Sequence, residues 1–281
     1  MSSRPYRTRV FLIELGKGCM SELISEFIKF ESENDVGIIT LNRPPHNFLD
    51  VDFLTEIADA IDECSSISRC GVIASGVKSF CAGANFTSGS QLDPADSTDF
   101  VFQARKLYGQ AERLFRSPVP MIAAIDGPAV GAGLGIALAC DFIVMADNTW
   151  LSANFVRLGI HPGFAISHTL PAKVGLARAS EILLTGKRIY SSRAFEIGLV
   201  DHLATNKTAV ELARELAQEI AQAAPLAVTN TRATLRGDLG DLAAKAMARE
   251  VLVQAELVKT EDCLEGISSM LTKRSPRFYG R

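Results

Sequence analysis

The chain has 281 residues, of which 47% are hydrophobic and 22% charged, and its formal net charge at pH 7 is −3. This length and composition are typical of one large globular domain or two small ones. The near-neutral charge, without a dense cluster of lysine and arginine, argues against nucleic acid as a partner. No apolar run reaches the roughly 18 residues of a membrane-spanning helix, so we expect no membrane partner either.

Residues 1–19 are basic and carry only a short apolar patch. They lack the longer apolar core and the small-residue cleavage site of a secretory signal. We interpret them as an N-terminal extension that is either disordered or lies upstream of a true start at Met20. A transit peptide is the alternative interpretation.

The six cysteines form no CxxC pair and no spacing typical of metal ligands. This pattern predicts free, buried thiols in a reducing compartment and no metal site. We therefore expect the protein in the cytoplasm, or in an organellar matrix if the source is eukaryotic. Their positions are Cys19, Cys64, Cys70, Cys81, Cys140 and Cys263.

Strands and helices alternate through about residue 150. FIKFESENDVGIITLNRPP predicts two strands joined by a turn at Glu33-Asn34-Asp35, and VDFLTEIADAIDEC has helical apolar spacing. CGVIASG is typical of a buried strand, and a long amphipathic helix follows the N-cap candidate Ser97. PMIAAIDG and FIVMAD predict two more strands, with a short glycine-rich helix between them. The alternation predicts an α/β core with largely parallel pairing.

After residue 165 the apolar patterns are helical, in ARASEILLTG, SSRAFEIGLV, KTAVELARELAQEIAQAAP, LAVTNTRATLRG and the long segment from Leu239 to Arg274. These segments carry alanine on more than one helix face. Such a distribution is typical of close helix packing or of a subunit interface. A plain helical cap on the same domain is the alternative.

Two strand ends consist almost entirely of small residues, one around Gly83-Ala84 and the other around Gly131-Ala132-Gly133. Their backbone N–H groups are unhindered by side chains, and those of the second segment open a helix, whose N-terminus is positive. Two such donors converging on one point would form an oxyanion hole for a thioester. The alternative is a pair of tight turns in which glycine relieves crowding.

A phosphate-binding loop for a nicotinamide cofactor is disfavoured. Gly131-x-Gly133-x-Gly135 departs from the dinucleotide fingerprint, although Asp147 follows at a suitable distance. The helix between the strands is also too short for a dinucleotide-binding unit.

Five segments occur in order along the chain: FCAGANF (80–86), SPVPMIAAIDGPAVGAGLGIALACDFIVMAD (117–147), LGIHPG (158–163), ASEILLTGKRIYSSRAFEIGLVD (179–201) and KRSPRFYGR (273–281). Together they resemble the crotonase, or enoyl-CoA hydratase/isomerase, superfamily over about residues 25–281. The resemblance implies a spiral core of ββα units over residues 20–204 and a helical trimerisation region over residues 205–281. It further implies a homotrimer or homohexamer.

The resemblance also implies an acyl-CoA substrate, with coenzyme A as part of the substrate and no permanently bound cofactor. The thioester oxygen would lie between the backbone N–H groups of Ala84 and Ala132. Lys273 matches a lysine that approaches the adenosine phosphates from a neighbouring subunit, although a solvated helix-end charge is the alternative. The residues expected to bind substrate are Asn47, Phe48, Leu49, Ala82, Gly83, Gly131, Gly133, Gly135, Phe155, Arg157 and Lys273.

The resemblance breaks at the two glutamates with which hydratases of the family hold and activate water. The matching positions are Gly135 and Phe155. Loss of general acid–base assistance costs about 10²–10⁴-fold in rate per group. The one-glutamate isomerases usually keep the position that Phe155 occupies here, so standard isomerisation is in doubt as well. We therefore expect an acyl-CoA enzyme of another reaction type. A hydratase with relocated acids and a non-catalytic acyl-CoA-binding homologue or subunit partner are the alternatives.

His161 is the candidate acid or base, because its turn borders the acyl pocket in the family and imidazole titrates near neutral pH. Arg157 could hold a substrate carboxylate. The alternatives are a backbone hydrogen bond or a subunit contact for His161, and a surface or interface salt bridge for Arg157. Acids that could reach in from the segment after the first loop are Asp93, Asp96 and Asp99. We expect structural roles for Cys81, Cys140, His46, His168 and His202.

Overall fold

The computed structural model describes residues 10–14, 19–86 and 97–281. Its strands in these ranges are β1 (Val10–Glu14), β2 (Cys19–Leu23), β3 (Ile28–Glu33), β4 (Val36–Leu41), β5 (Cys70–Ser75), β6 (Met121–Ile125), β7 (Ala129–Val130), β8 (Phe142–Ala146), β9 (Trp150–Ser152), β10 (Arg188–Tyr190) and β11 (His202–Ala204). The main sheet has the order β1-β2-β3-β4-β5-β6-β8-β11, and a small sheet has the order β10-β9-β7.

Pairing in the main sheet is antiparallel from β1 to β4 and parallel from β4 to β11. The predicted turn joins β3 to β4, with Asn34 and Asp35 at φ 51° and 65°. Two left-handed residues of this kind are typical of a two-residue hairpin turn. The predicted α/β core with largely parallel pairing is confirmed. Of the proposed N-terminal extension, residues 10–14 and Cys19 belong to strands, and the remainder lies outside the described residues.

The helices are α1 (Val51–Ile67), α2 (Ser97–Phe115), α3 (Ala132–Ala139), α4 (Ile166–Val174), α5 (Leu176–Thr185), α6 (Ser191–Glu196), α7 (Ala209–Gln222), α8 (Pro225–Arg236), α9 (Leu239–Leu257) and α10 (Glu261–Leu271), with a 3-10 helix at Phe155–Leu158. Ser97 is the first helical residue of α2 rather than a residue before it. The segment predicted as one helical run after Leu239 is two helices, because Thr260 caps α10 through a bond from the Cys263 N–H. Over the described ranges, no helix is long and apolar enough to cross a membrane.

The alanines of α7 pack against one face of the sheet. Ala209, Ala213, Ala217 and Ala221 recur every four residues and are buried with alternate residues of the central strands, such as Val72 of β5. Since alanine is small, the helix axis approaches the sheet closely. For α7 the structure therefore shows close packing, which is one of the interpretations that the sequence allowed for its alanines.

Candidate active site

The loop after β5 is held in place by backbone pairing with the segment before α1. The Leu49 N–H donates to the Gly83 carbonyl oxygen at 2.8 Å, and the Ala82 N–H donates to the His46 carbonyl oxygen at 3.0 Å. Parallel bridges join Leu49 to Ala84 and Cys81 to Ala129. The loop, which we call the first loop (residues 80–84), is thus fixed to both of its neighbours.

The side chain of Asn47 is part of this support. It is fully buried, and its Nδ2 donates to Ser75 Oγ and to the Phe80 carbonyl oxygen, both at 2.9 Å. Its Oδ1 accepts from the Arg43 N–H at 2.7 Å. The carboxamide is therefore committed to the protein itself. Its neighbour Phe48 is 37% exposed, and its ring lines the cavity described below.

The second loop (residues 129–133) runs from β7 into α3 and lies against the first. Gly83 and Gly131 have φ angles of +92° and +54°, which side chains rarely adopt. A Cβ on Gly83 would lie 2.9 Å from the Val130 carbonyl oxygen and 3.7 Å from the Ala132 nitrogen. The two loops therefore touch at the positions that carry the candidate donors.

Gly133 allows this close approach. A Cβ at Gly133 would overlap the Cys81 carbonyl oxygen and would lie 2.8 Å from the Cys81 Cβ. Because the nearest atom is backbone, no rotamer change could relieve the overlap. Gly133 is therefore required by packing between the two loops.

The backbone N–H groups of Ala84 and Ala132 make no hydrogen bond within the described chain, and that of Gly133 makes none either, whereas the Gly131 N–H donates to the Ser152 carbonyl oxygen at 2.8 Å. Ala132 is the first residue of α3, where N–H groups have no intrahelical acceptor. Ala84 and Ala132 both line a cavity of about 90 Å³.

The cavity is mainly apolar. Polar side chains come from Tyr108, Asn154 and Gln254, and its lining residues in the described chain include no Asp, Glu, His, Lys or Arg. Predicted site residues that line it are Phe48, Ala82, Gly83, Ala84, Gly131, Ala132 and Phe155. Predicted site residues that do not are Asn47, Leu49, Gly133, Gly135, Arg157, His161 and Lys273.

Aromatic rings occupy the positions at which the resemblance implies glutamates. A Cβ on Gly135 would lie 2.5 Å from Phe164 Cδ1, and Phe164 is fully buried. The space beside Gly135 therefore belongs to the Phe164 ring. Phe155 is 6% exposed and faces the cavity. Neither Gly135 nor Phe155 can supply a carboxylate, and the space beside Gly135 is filled.

A buried polar chain closes one side of the cavity. The Tyr108 hydroxyl donates to Gln254 Oε1 at 2.8 Å, and Gln254 Nε2 donates to the His161 carbonyl oxygen at 2.9 Å. Burial raises the pKa of Tyr108, with Glu250 as a further cause. Glu250 accepts from the Ala165 N–H at 2.8 Å and from Ser167 Oγ at 2.6 Å. Desolvation raises the pKa of Glu250.

The other candidates have partners away from the cavity. His161 Nδ1 contacts the Pro162 carbonyl oxygen at 2.7 Å, and Arg157 Nε donates to the Thr185 carbonyl oxygen at 2.8 Å. These are the backbone contact weighed for His161 and a surface contact for Arg157. Asp99 is exposed on α2, where Gln103 Nε2 donates to its carboxylate at 3.1 Å. Asp93 and Asp96 lie outside the described residues.

The remaining candidates are the thiols and Lys273. Burial raises the pKa of Cys81 and of Cys140 to about 12 each, so both thiols are protonated at neutral pH. Lys273 is exposed at the end of α10. Over the described ranges, no group of three His, Cys, Asp or Glu side chains could hold a metal ion.

A protein-family model described as "Enoyl-CoA hydratase/isomerase" matches residues 31–281. The chain belongs to the enoyl-CoA hydratase/isomerase family. It is 36% identical over 258 residues to "Enoyl-CoA hydratase domain-containing protein 2, mitochondrial" of Homo sapiens, covering 88% of this chain and 87% of that protein. It is 32% identical over 266 residues to the 2,3-dehydroadipyl-CoA hydratase of Escherichia coli (strain K12), covering 93% of this chain and all of the relative.

Solved structures of the family share the fold. A crystal structure of enoyl-CoA hydratase/isomerase from Pseudoalteromonas atlantica T6c superposes with a TM-score of 0.78, at 24% identity over 90% of this chain and all of that one. At this identity the likeness concerns the fold. The superfamily membership that the five collinear segments predicted is confirmed.

The three cavity residues with polar side chains, Tyr108, Asn154 and Gln254, were not among the site residues predicted from the sequence. Tyr108 lies on the buried face of α2, which periodicity could have found. Asn154 directly precedes the predicted site residue Phe155, so its position in the sequence could have suggested it. Gln254 lies about 90 residues further along, and no local pattern connects it to the loops.

Proposed function

We propose that this protein is an enzyme that binds an acyl-CoA and stabilises negative charge on the thioester oxygen with the N–H groups of Ala84 and Ala132. The supporting observation is that these two N–H groups have no acceptor in the described chain and belong to residues that line the same cavity. Donors aimed at a developing oxyanion in a dry site typically contribute a factor of 10²–10³ each to the rate. Coenzyme A enters as part of the substrate, and no resident cofactor is proposed.

We further propose that the reaction is not standard hydration. A water added to an enoyl thioester needs a positioned base and acid, and Gly135 and Phe155 provide neither. The described cavity lining contains no carboxylate at any other position. Isomerisation, decarboxylation, C–C cleavage and thioester hydrolysis all pass through an oxyanion that the two N–H groups could hold, and they remain the candidate reactions.

Ala132→Pro tests the oxyanion hole. Proline lacks the N–H but is tolerated at the first position of a helix, which Ala132 occupies. We expect folding to be kept and the infrared carbonyl stretch of bound [1-¹³C]butyryl-CoA to lose most of its shift to lower frequency. Leu176→Pro is the matched control, since Leu176 also opens a helix after a glycine and is 74% exposed. An unchanged shift in Ala132→Pro would refute the proposal.

Crotonyl-CoA tests the reaction type. We expect hydration to be slower by about 10²-fold or more than in a glutamate-containing relative measured in parallel. Hydration at the relative's rate would show that relocated acids replace the missing pair. A panel of enoyl, branched, malonyl-type and cyclic acyl-CoAs, analysed by mass spectrometry, then identifies the reaction.

The second candidate function is a non-catalytic acyl-CoA-binding homologue or subunit partner. It is favoured by the cavity itself, whose described lining contains no acid–base side chain of ordinary pKa. Binding of every panel member without turnover of any would support it. Turnover of one member, reduced in Ala132→Pro, would exclude it.

We propose that the chain assembles as a homotrimer or homohexamer through its C-terminal helices. No residue of α8 is buried, and its Leu226 and Leu235 are 78% and 81% exposed. On the same helix, the Nη2 atom of Arg232 is buried without a partner in the described chain. Light scattering should give three or six times the chain mass of 30.3 kDa. Lys273 would contact a neighbouring subunit's ligand only in such an assembly.

We propose a reducing compartment, either the cytoplasm or an organellar matrix. Support comes from the thiols: each cysteine whose side chain the structure describes is free. Fractionation of the source cells, with thiol labelling of the native protein, tests this location.

A further inference from the structure

The polar side chains that line the cavity differ in whether their hydrogen-bonding atoms are free to bind a ligand. The Tyr108 proton is committed to Gln254 Oε1, and Gln254 Nε2 is committed to the His161 carbonyl oxygen. A carbonyl oxygen can only accept, so this chain has one direction. The Phe164 backbone N–H also approaches the phenol oxygen. Tyr108 and Gln254 therefore satisfy each other.

Asn154 is different. It stands at the N-cap of the 3-10 helix Phe155–Leu158, where asparagine normally accepts a backbone N–H, yet it makes no capping bond. Within the described chain, its carboxamide has no hydrogen-bond partner. Instead the side chain lines the cavity, and its Oδ1 lies 3.9 Å from where a Cβ on Gly131 would stand. The free amide is therefore beside the loop that presents the Ala132 N–H.

We propose that Asn154 contacts the acyl group and that the substrate carries a hydroxyl or keto oxygen within two carbons of the thioester carbonyl. This inference rests on the proposed acyl-CoA function and names its substrate class. A thioester oxygen held at the Ala132 N–H places those first carbons next to the second loop, where the amide lies. An amide both donates and accepts, and it carries no charge at any pH of interest.

The neutral amide also favours an acyl group with a hydroxyl or keto oxygen over a plain alkyl group or one that carries a carboxylate. A plain alkyl chain would leave the amide unpaired against apolar surface, which is unfavourable. A carboxylate would enter a described cavity lining that holds no cation to pair it. The described cavity has a volume of about 90 Å³, and the test therefore uses ligands with short acyl chains.

The test compares equilibrium binding of butyryl-CoA with 2-hydroxybutyryl-, 3-hydroxybutyryl-, acetoacetyl- and malonyl-CoA by calorimetry, with chromatography to detect turnover. In the wild type, at least one of the three neutral oxygenated ligands should bind about 10-fold more tightly than butyryl-CoA. Asn154→Leu, which keeps the shape and removes both hydrogen-bonding atoms, should reduce this preference below about 2-fold. Its affinity for butyryl-CoA should not fall.

Asn154→Asp is the second variant, and it gives a signature that a merely structural role would not produce. A carboxylate accepts from a hydroxyl but cannot donate to a ketone, so any preference for a hydroxyacyl ligand should survive while a preference for acetoacetyl-CoA is lost. Thermal melting of both variants verifies that they fold. Equal binding of butyryl-CoA and all oxygenated ligands, a preference for malonyl-CoA, or a preference unchanged in Asn154→Leu overturns the inference.

Failure of this inference is distinguishable from failure of the proposed function. If acyl-CoAs bind and Ala132→Pro abolishes the carbonyl shift, but no oxygenated ligand is preferred, only the substrate class is wrong. If no acyl-CoA binds at all, both the proposed function and this inference are refuted.

Discussion

Two parts of the cavity lining differ in chemistry: one presents backbone N–H groups and the other presents aromatic rings. The first and second loops present backbone N–H groups, and glycines such as Gly83 and Gly133 bring the loops into contact. The rings of Phe155 and Phe164 form an aromatic wall, and the Phe155 ring lies next to Gly131 of the second loop. A backbone donor exists whatever side chain its residue carries, whereas a carboxylate is lost with one substitution. Backbone donors of the kind proposed here for a thioester oxygen can therefore persist in a chain that lacks both glutamates of a hydratase.

The aromatic wall has its own buried support. Phe164 and Ala165 have φ angles of 60° and 58°, which cost energy in residues other than glycine. Glu250 holds this turn through the Ala165 N–H and through Ser167. The ring that occupies the space beside Gly135 is therefore positioned by a carboxylate on α9.

The largest expected effect on stability comes from adding a methyl group where the two loops touch. Gly133→Ala would place a methyl group on the Cys81 carbonyl oxygen, and we expect a loss of at least about 3 kcal/mol in the free energy of unfolding. Gly109→Ala in α2 is the control, because a Cβ there meets nothing within 4 Å. It should stabilise the protein by about 0.5–1 kcal/mol. Urea denaturation measures both, and a neutral Gly133→Ala would contradict the proposed contact.

A smaller effect is expected on the aromatic wall. Gly135→Ala should cost about 1–3 kcal/mol, because its Cβ would press on Phe164. In a Phe164→Gly background the same change should cost little, since both the ring and the Cβ of residue 164 are gone. The double-mutant cycle should therefore give a coupling free energy of about 1–3 kcal/mol. Additive effects would show that the ring does not occupy the space beside Gly135.

The smallest effect concerns pH. Desolvation raises the pKa of Glu250 above its ordinary value of 4.5, so between the two values the native state keeps a proton that the unfolded chain has lost. Stability from this group therefore falls as pH rises above 4.5. The unfolding free energy of the wild type minus that of Glu250→Gln should decrease with rising pH, by at most about 1.4 kcal/mol per unit.

The control for this pH trend is Glu256→Gln, which removes a charge from a residue of α9 whose side chain is 76% exposed. Glu250→Gln is expected to be less stable throughout, because its amide N–H₂ would face a backbone donor. Only the trend is diagnostic. A difference that is flat, or that grows with pH, would show that the hydrogen bonds outweigh desolvation.

Local patterns predicted much of the fold. The hairpin turn at Asn34-Asp35, the helix from Val51 and the parallel core follow from periodicity and turn chemistry, which act over a few residues. The strands β7, β9, β10 and β11 were missed, because each has only two or three residues, and β1 and β2 were not predicted either. Strands of two or three residues carry no periodic signal and form only where a partner is supplied by the tertiary structure.

The sequence by itself determined the family, the two glycine-rich loops and the absence of the paired glutamates, because each is a matter of residue identity and order. Only the tertiary structure decided that Asn47 supports the first loop, that His161 and Arg157 contact backbone away from the cavity, and that Phe164 occupies the space beside Gly135. It also brought Asn154 beside the second loop. These are contacts between distant segments, and their geometry depends on packing that no local pattern encodes.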